Sequence, residues 1–85
     1  MELLEAGSGW ALSDEFEITE ETAIFLGPSG QAAPTARGNI LRKTAAGNFA
    51  VVANLVGKRP SGRMPPGFYK VERLPGTASF SIEHG

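Results

Sequence analysis

Apolar and polar residues alternate along most of this chain, which is typical of β-strands with one buried face. The longest uncharged apolar run covers residues 47–57, and glycine closes it at both ends. One face of the run carries every second residue from Phe49 to Leu55, and the other face is almost as apolar. Its β-branched and aromatic residues favour a strand over a helix. We therefore predict that this run is the central strand of a sheet, covered on both sides.

Shorter alternating segments lie on both sides of this run, separated by turns rich in glycine and proline. They cover residues 10–12, 15–19, 22–26, 37–44, 68–74 and 77–83. Their spacing predicts an all-β fold, a small antiparallel β-sandwich or barrel of about seven short strands. The segment at 37–44 is expected to form a hairpin with the central strand.

The inward positions of these strands predict the hydrophobic core. The expected core residues share a period-two placement within their strands: Trp10, Phe16, Ile18, Ile24, Leu26, Phe49, Val51, Leu55, Tyr69, Val71, Phe80 and Ile82. Trp10 is the only tryptophan. In a small domain such a residue is more often in the core than an exposed platform for a ligand, and we place it in the core.

Residues 1–9 are expected to form a flexible N-terminal arm before a single β-sandwich domain over 10–85. Leu3 and Leu4 stand ahead of a Gly-Ser-Gly joint at 7–9 and have no alternating strand of their own. We predict that this arm docks on a neighbouring chain. The alternative is a frayed terminus.

The composition excludes several classes of site. The chain has 85 residues, no cysteine, a single histidine and a single aspartate, Asp14. It therefore lacks a disulfide framework and a thiolate metal site, and His84 alone cannot build a zinc centre. Asp14 and His84 are poorly placed for a Ser-His-Asp arrangement. We predict a protein that is not an enzyme and that carries no cofactor and no metal.

A domain of this size buries only about 60 to 65% of its unfolded surface, so its core is small. Oligomerisation is the reinforcement that the composition leaves open. No stretch approaches the roughly 20 apolar residues of a membrane span, and the amino terminus is acidic, so we expect neither a membrane partner nor a signal peptide.

Charge is distributed unevenly although the formal net charge is −1. Seven of the nine acidic residues precede the first basic residue, Arg37, and basic residues dominate after it. We predict an interface in which an acidic surface meets a basic one on another chain, with apolar contacts between them. The acidic surface is Glu15, Glu17, Glu20 and Glu21; the basic surface is Lys58, Arg59, Arg63, Lys70 and Arg73; the apolar contacts are Met64 and Phe68. The alternative is that the two surfaces neutralise each other within one domain.

Two other interpretations of these charges were weighed. Neighbouring glutamates can serve acid–base catalysis, but that needs one carboxylate desolvated in a cleft, and glutamates on a strand face are usually solvated. Basic residues around Phe68 and Tyr69 are typical of stacking platforms for single-stranded nucleic acid. The acidic N-terminal third and the near-neutral net charge oppose a nucleic-acid partner.

Residues 64–74, Met-Pro-Pro-Gly-Phe-Tyr-Lys-Val-Glu-Arg-Leu, followed by 77–83, Thr-Ala-Ser-Phe-Ser-Ile-Glu, resemble the C-terminal halves of small tailed-bacteriophage virion proteins. Those proteins carry an apolar-Pro-x-Gly-x-Tyr-x-Val corner and strand before a short closing strand. Residues 48–56 are similar to their penultimate core strand.

The resemblance implies a structural virion protein: a capsid decoration or cement protein, or a head-fibre or tail component. Such a protein would associate with copies of itself and dock on a major capsid or other virion protein, in a particle assembled in the host cytoplasm. The alternatives are a single-stranded nucleic-acid-binding β-barrel and a small carbohydrate- or peptide-binding β-sandwich.

Overall fold

The computed structural model describes residues 2–7, 9–27, 37–56, 59–76 and 80–84. Every regular element in these ranges is a β-strand, so the all-β prediction is confirmed. The strands are β1 (Glu2–Gly7), β2 (Ala11–Leu12), β3 (Phe16–Ile18), β4 (Thr22–Gly27), β5 (Arg37–Lys43), β6 (Phe49–Val56), β7 (Ser61–Met64), β8 (Gly67–Arg73) and β9 (Phe80–His84).

The strands form two antiparallel sheets that make a small β-sandwich. Sheet A has the order β1-β9-β4-β7. Sheet B has the order β2-β8-β5-β6, and β3 pairs with β8 beyond the end of β2. The predicted hairpin of β5 and β6 is confirmed, and its turn includes Gly47 at a φ of 86°, which favours glycine.

The core lies between the two sheets and contains most of the predicted residues. The buried hydrophobic side chains are Ile18, Ile24, Leu26, Ile40, Leu55, Tyr69, Val71, Phe80 and Ile82. Ile40 is an addition to the predicted core, and Phe16 is half-buried against it. Trp10 and Val51 were wrongly placed in the core, because both are more than half exposed, and Phe49 is only half-buried.

The strand that we predicted to be central, β6, lies at the edge of sheet B. Among the described residues, β6 has β5 as its only partner strand in sheet B. The central positions belong to β8 and β5, each of which pairs on both sides. Both faces of β6 are apolar, but only one of them is covered. Leu55 and Ala53 lie on the core side, whereas the side chains of Val51 and Val52 remain exposed to solvent.

The N-terminal segment differs from the flexible arm expected of it. Glu2–Gly7 forms β1, which pairs antiparallel with β9 through Leu4 opposite Ile82 and Gly7 opposite Phe80. Leu3 and Leu4 pack against the core. This pairing completes one edge of sheet A, so residues 2–7 are part of the sandwich. The docking of this segment on a neighbouring chain stays a prediction.

We predict that Phe80→Ala and Phe49→Ala differ sharply in their effect on stability. Phe80 is only 2% exposed. Its truncation should therefore lower the free energy of unfolding by about 3 to 5 kcal/mol. Phe49 is half-buried on an edge strand, so its truncation should cost less than about 2 kcal/mol. Urea unfolding followed by circular dichroism measures both changes, and equal losses would contradict the edge position of β6.

Candidate functional site

Among the described residues, the large hydrophobic side chains that stay exposed all belong to sheet B or to the residue that leads into it. They are Trp10, Leu12, Val51, Val52 and Phe68, with exposed fractions of 58, 41, 51, 50 and 44%. A soluble domain can expose single apolar residues without consequence, but a contiguous group indicates a binding surface. The strand register shows how they lie relative to one another.

The alternation of β8 defines the two faces of sheet B. Tyr69 and Val71 are fully buried and point into the core. Because neighbouring residues of a strand point to opposite faces, Phe68, Lys70 and Glu72 point away from the core. The surface that carries these three residues is called the outer face of sheet B below.

Strand β2 and the residue before it extend the outer face on one side of β8. Leu12 is the cross-strand partner of Glu72. Trp10 shares the face of Leu12 because it lies two residues earlier, and its Nε1 donates a hydrogen bond of 2.8 Å to Oε2 of Glu72. The indole therefore lies against the outer face and leaves most of its surface in solvent.

Strands β5 and β6 extend the same face on the other side of β8. Leu41 pairs with Lys70 of β8 and with Val51 of β6. The register of β5 and β6 shifts between Ile40 and Leu41, which leaves Val52 as the extra residue of a β-bulge. Half-exposed apolar side chains thus continue to the edge of the sheet.

A line of hydrogen bonds crosses this apolar surface. Asn54 Nδ2 donates to Asn39 Oδ1 at 2.7 Å, and Asn39 Nδ2 donates to Glu72 Oε1 at 2.8 Å. Together with the bond from Trp10, these contacts give both oxygens of Glu72 a donor. Covering the face would therefore not leave these groups unpaired, which removes much of the cost of desolvating them.

The lysines of the outer face are held against aromatic rings or a carboxylate. Lys70 Nζ lies 4.8 Å from the ring centroid of Phe49, and Lys43 Nζ lies 5.7 Å from that of Phe68. Lys43 Nζ also lies 3.5 Å from Oε1 of Glu15. Each of these lysines therefore has a favourable contact within the domain.

The outer face of sheet A has a different character. In β4 the core-facing residues are Ile24 and Leu26, so Ala23 and Phe25 point outward. Their cross-strand partners are polar or charged: Arg63 for Ala23, and Ser61 and Glu83 for Phe25. In the part of the chain that the structure describes, the exposed large hydrophobic side chains thus belong to sheet B or lead into it.

The structure separates most members of the predicted acidic surface from the basic one. Glu21 pairs with Arg63 inside the domain at 3.2 Å, with both side chains largely in solvent. Glu15 pairs with Lys43, which was outside the predicted set. Glu17 is exposed opposite Phe68. These two ion pairs agree with the alternative in which acidic and basic residues neutralise each other within one domain. Charge pairing between chains stays a prediction.

The remaining predicted interface residues are scattered over the fold. Glu20 and Arg59 are exposed near the ends of strands, and Lys58 lies outside the described residues. Met64, in β7, is half-buried and packs against the core. Of the predicted basic surface and its apolar contacts, only Phe68 and Lys70 belong to the outer face of sheet B.

Arg73 is buried and cannot form part of an exposed basic surface. Its Nε donates to the carbonyl of Gly9 at 2.7 Å, and its Nη1 donates to the carbonyls of Glu5 and Phe80. The side chain leaves β8 of sheet B and reaches β1 and β9 of sheet A. A Cβ on Gly7 would come within 2.8 Å of its Nη2, so glycine leaves room for the guanidinium. Arg73 is a structural link between the sheets.

Tyr69 cannot join Phe68 in a stacking platform for nucleic acid. It is fully buried, its hydroxyl donates to the carbonyl of Pro65 at 2.7 Å, and its ring stacks on Phe16. The two aromatics are sequence neighbours in one strand, and they therefore point to opposite faces of the sheet. The core position predicted for Tyr69 is confirmed, and the alternative of a stacking platform built from both rings does not fit this geometry.

The fold brings Ser13, Asp14 and His84 to the wall of one open depression of about 400 Å³. Ser13 Oγ accepts a hydrogen bond from the Val71 N–H at 2.9 Å and donates to the carbonyl of Asp14 at 3.0 Å. The Ser13 hydroxyl connects the backbone of β8 to the segment between β2 and β3. Both of its hydrogen bonds hold the backbone, and it is not oriented as a nucleophile. His84 stacks on Phe16 at 6.3 Å.

In the part of the chain that the structure describes, no three histidine, cysteine or acidic side chains are grouped so that they could hold a metal ion. The same residues include no helix with the length and apolarity needed to cross a membrane.

A scan against models of protein families finds no match for this sequence, and searches of curated proteins and of solved structures find no similar chain. The resemblance of residues 64–83 to phage virion proteins stays a prediction. Among the described residues, the outer face of sheet B is the candidate binding surface.

Sequence reasoning placed Phe68 and Lys70 on a surface but missed the other exposed apolar residues. Trp10 and Leu12 carry no signal that separates them from core residues, because their exposure depends on which strands lie above them. Val51 and Val52 do carry a signal. Apolar residues at adjacent strand positions indicate that both faces are apolar, and an edge position then leaves one uncovered.

We predict that Arg73→Met destabilises the domain and that Arg63→Met does not. Loss of the Arg73 hydrogen bonds would leave buried carbonyls without a donor and loosen β1, and should cost about 2 to 4 kcal/mol. Arg63 belongs to an exposed ion pair, whose removal should change stability by less than about 0.5 kcal/mol. Urea unfolding compares the variants, and similar small losses for both would contradict the linking role of Arg73.

We predict that Trp10 fluoresces like an indole in water and is quenched readily by acrylamide. The reason is the exposure of 58%, with only Nε1 engaged by Glu72. Since Trp10 is the only tryptophan, the emission spectrum reports on this site alone. A short-wavelength emission that resists quenching in the monomer would contradict the exposed position.

Proposed function

We propose that this protein is a non-catalytic structural component that docks on a larger protein scaffold through the outer face of sheet B and associates with copies of itself. The observation that carries the proposal is that all five exposed large hydrophobic side chains of the described chain group on or at the edge of this face. Contiguous exposed apolar surface in a small domain is costly unless a partner covers it.

The chemistry of the face suits a protein partner. Aromatic and aliphatic side chains lie on both sides of Lys70 and Glu72, and aromatic residues are enriched at protein–protein interfaces. Trp10 and Phe68 are the kinds of residue that contribute most to binding when they are covered. The polar groups around Glu72 already have partners, so docking can exclude water without orphaning them.

The size of the face favours a repetitive scaffold. Strands β5, β6 and β8, of seven or eight residues each, together with β2 and β3 along the other side of β8, cover roughly 400 Å² of flat area. Stable pairwise interfaces bury about 800 Å² on each partner, so a single domain is expected to bind with modest affinity. Many copies on a repeating surface would compensate through multivalency.

The resemblance of residues 64–83 to tailed-phage virion proteins supplies a setting with such a surface. In that setting the protein would be a capsid decoration or cement protein, or a head-fibre or tail component, located in the virion. The scaffold would be a major capsid or other virion protein.

A single-stranded nucleic-acid-binding barrel is the second candidate, favoured by Lys43 and Lys70 beside exposed or half-buried phenylalanine rings. The carboxylates on the same face oppose the approach of phosphates. Glu15 lies 3.5 Å from Lys43, and Glu72 holds the middle of the face. Docking on a protein partner is therefore better supported than binding of single-stranded nucleic acid.

We predict that Leu12→Ser combined with Phe68→Ser weakens docking at least about tenfold, because both side chains would lie in the covered part of the interface. Docking is measured by co-sedimentation with capsids assembled from the major capsid protein encoded nearest the gene. Phe25→Ser on the outer face of sheet A is the control and should leave docking unchanged.

Urea unfolding of each variant separates lost docking from lost folding, since Phe25 is half-buried. Unchanged docking of the folded double variant would contradict the assignment of this face. Salt-sensitive binding of the wild-type protein to a single-stranded oligonucleotide, with no binding to capsids, would favour the second candidate instead.

A further inference from the structure

Strand β6 is an edge strand with less protection than natural sheet edges usually carry. Its sequence over Phe49–Val56 contains no charged residue and no proline. Within the described part of the chain its neighbour in sheet B is β5 alone. An open edge presents unpaired backbone N–H and C=O groups, and native proteins usually guard it with charges, proline or short length. The bulge at Val52 is the one protective feature of β6.

The other edges of the sandwich are guarded. The edges of sheet A are β1, which contains Glu2 and Glu5, and β7, which contains Arg63. The far edge of sheet B is formed by β2, only two residues long, and by β3, which carries Glu17. The contrast shows that β6 differs from every other edge of the same domain.

We propose that β6 pairs antiparallel with β6 of a second copy across a two-fold axis, joining the two copies of sheet B into one continuous sheet. This inference deepens the proposed function by naming the contact between copies. In a two-fold pairing each strand faces itself, so a charged strand would bring like charges together. The uncharged β6 has no such repulsion, whereas β1 and β7 paired with themselves would have it.

The contacts at the end of β6 define which residues can pair. The Val56 N–H donates to the Arg59 carbonyl at 3.2 Å, and the Arg59 N–H donates to the Val56 carbonyl at 2.9 Å. Since these bonds occupy the outer edge at Val56, the open stretch is Phe49–Leu55. Its midpoint is Val52, so the two-fold axis passes close to this residue.

This pairing would cover the half-exposed side chains of Val51 and Val52 and would satisfy the open edge of the backbone. It would also place the two outer faces of sheet B side by side on the same surface. The docking area of roughly 400 Å² for one domain would double, to roughly 800 Å², which reaches the size of a stable interface.

The first test measures association by sedimentation velocity over a concentration series. The wild-type chain should form dimers. Val52→Lys should raise the dissociation constant at least about tenfold, because lysine at an edge opposes pairing and would face its own copy. Ser61→Lys adds the same charge to the exposed edge strand β7 and should leave the dimer unchanged. A wild-type protein that is monomeric at its solubility limit would overturn the proposal, as would equal effects of the two lysines.

The second test uses the absence of cysteine from the chain. Val52→Cys should form a covalent dimer under mild oxidation, because residues near the axis bring their Cα atoms within disulfide range. Ser61→Cys is the control and should stay monomeric. Equal rates of crosslinking would overturn the β6 contact. Circular dichroism and urea unfolding confirm that each variant is folded.

The outcomes separate this inference from the proposed function. A protein that docks on capsids but stays monomeric overturns the β6 contact and leaves the docking function intact. A β6 dimer that persists in the Leu12→Ser, Phe68→Ser variant and docks on no scaffold supports the contact and overturns the docking function.

Discussion

The alternation of β8 is the constraint on which the rest of the structure depends. This strand has neighbours on both sides, β2 and β3 along one edge and β5 along the other. Its inward residues supply core side chains and the buried Arg73, while its outward residues anchor the exposed face. The same period of two therefore decides what holds the sandwich together and what it offers to a partner.

The small size of the domain limits the stability that the inward-facing residues of β8 and its neighbours can provide. A domain of 85 residues has a limited core, and Arg73 adds hydrogen bonds that tie β8 to β1 and β9 across the two sheets. The outward half carries apolar side chains around a carboxylate whose oxygens are both bonded. Such a face tolerates loss of water better than a surface of unpaired charges, and this is why we propose that it contacts a protein.

The predictions from sequence were accurate where local alternation alone carries the information. Ile24, Leu26, Phe80 and Ile82 were expected in the core and lie there. Predictions failed where they needed the order of strands in a sheet. An apolar run on two faces was interpreted as a central strand, but β6 lies at an edge. Residues 2–7 lack clear alternation, yet they form a strand. They pair with β9 along the edge that β9 would otherwise leave open.

The sequence by itself determined the all-β class, the hairpin of β5 and β6 and most inward positions, because these follow from side-chain period and turn residues over a few positions. Only the tertiary structure decided that Trp10 is exposed, that Arg73 is buried and that charges such as Glu21 and Arg63 pair within the domain. These outcomes depend on strand order and on which sheet covers which face. Contacts between residues far apart in the chain establish both, and no local pattern records them.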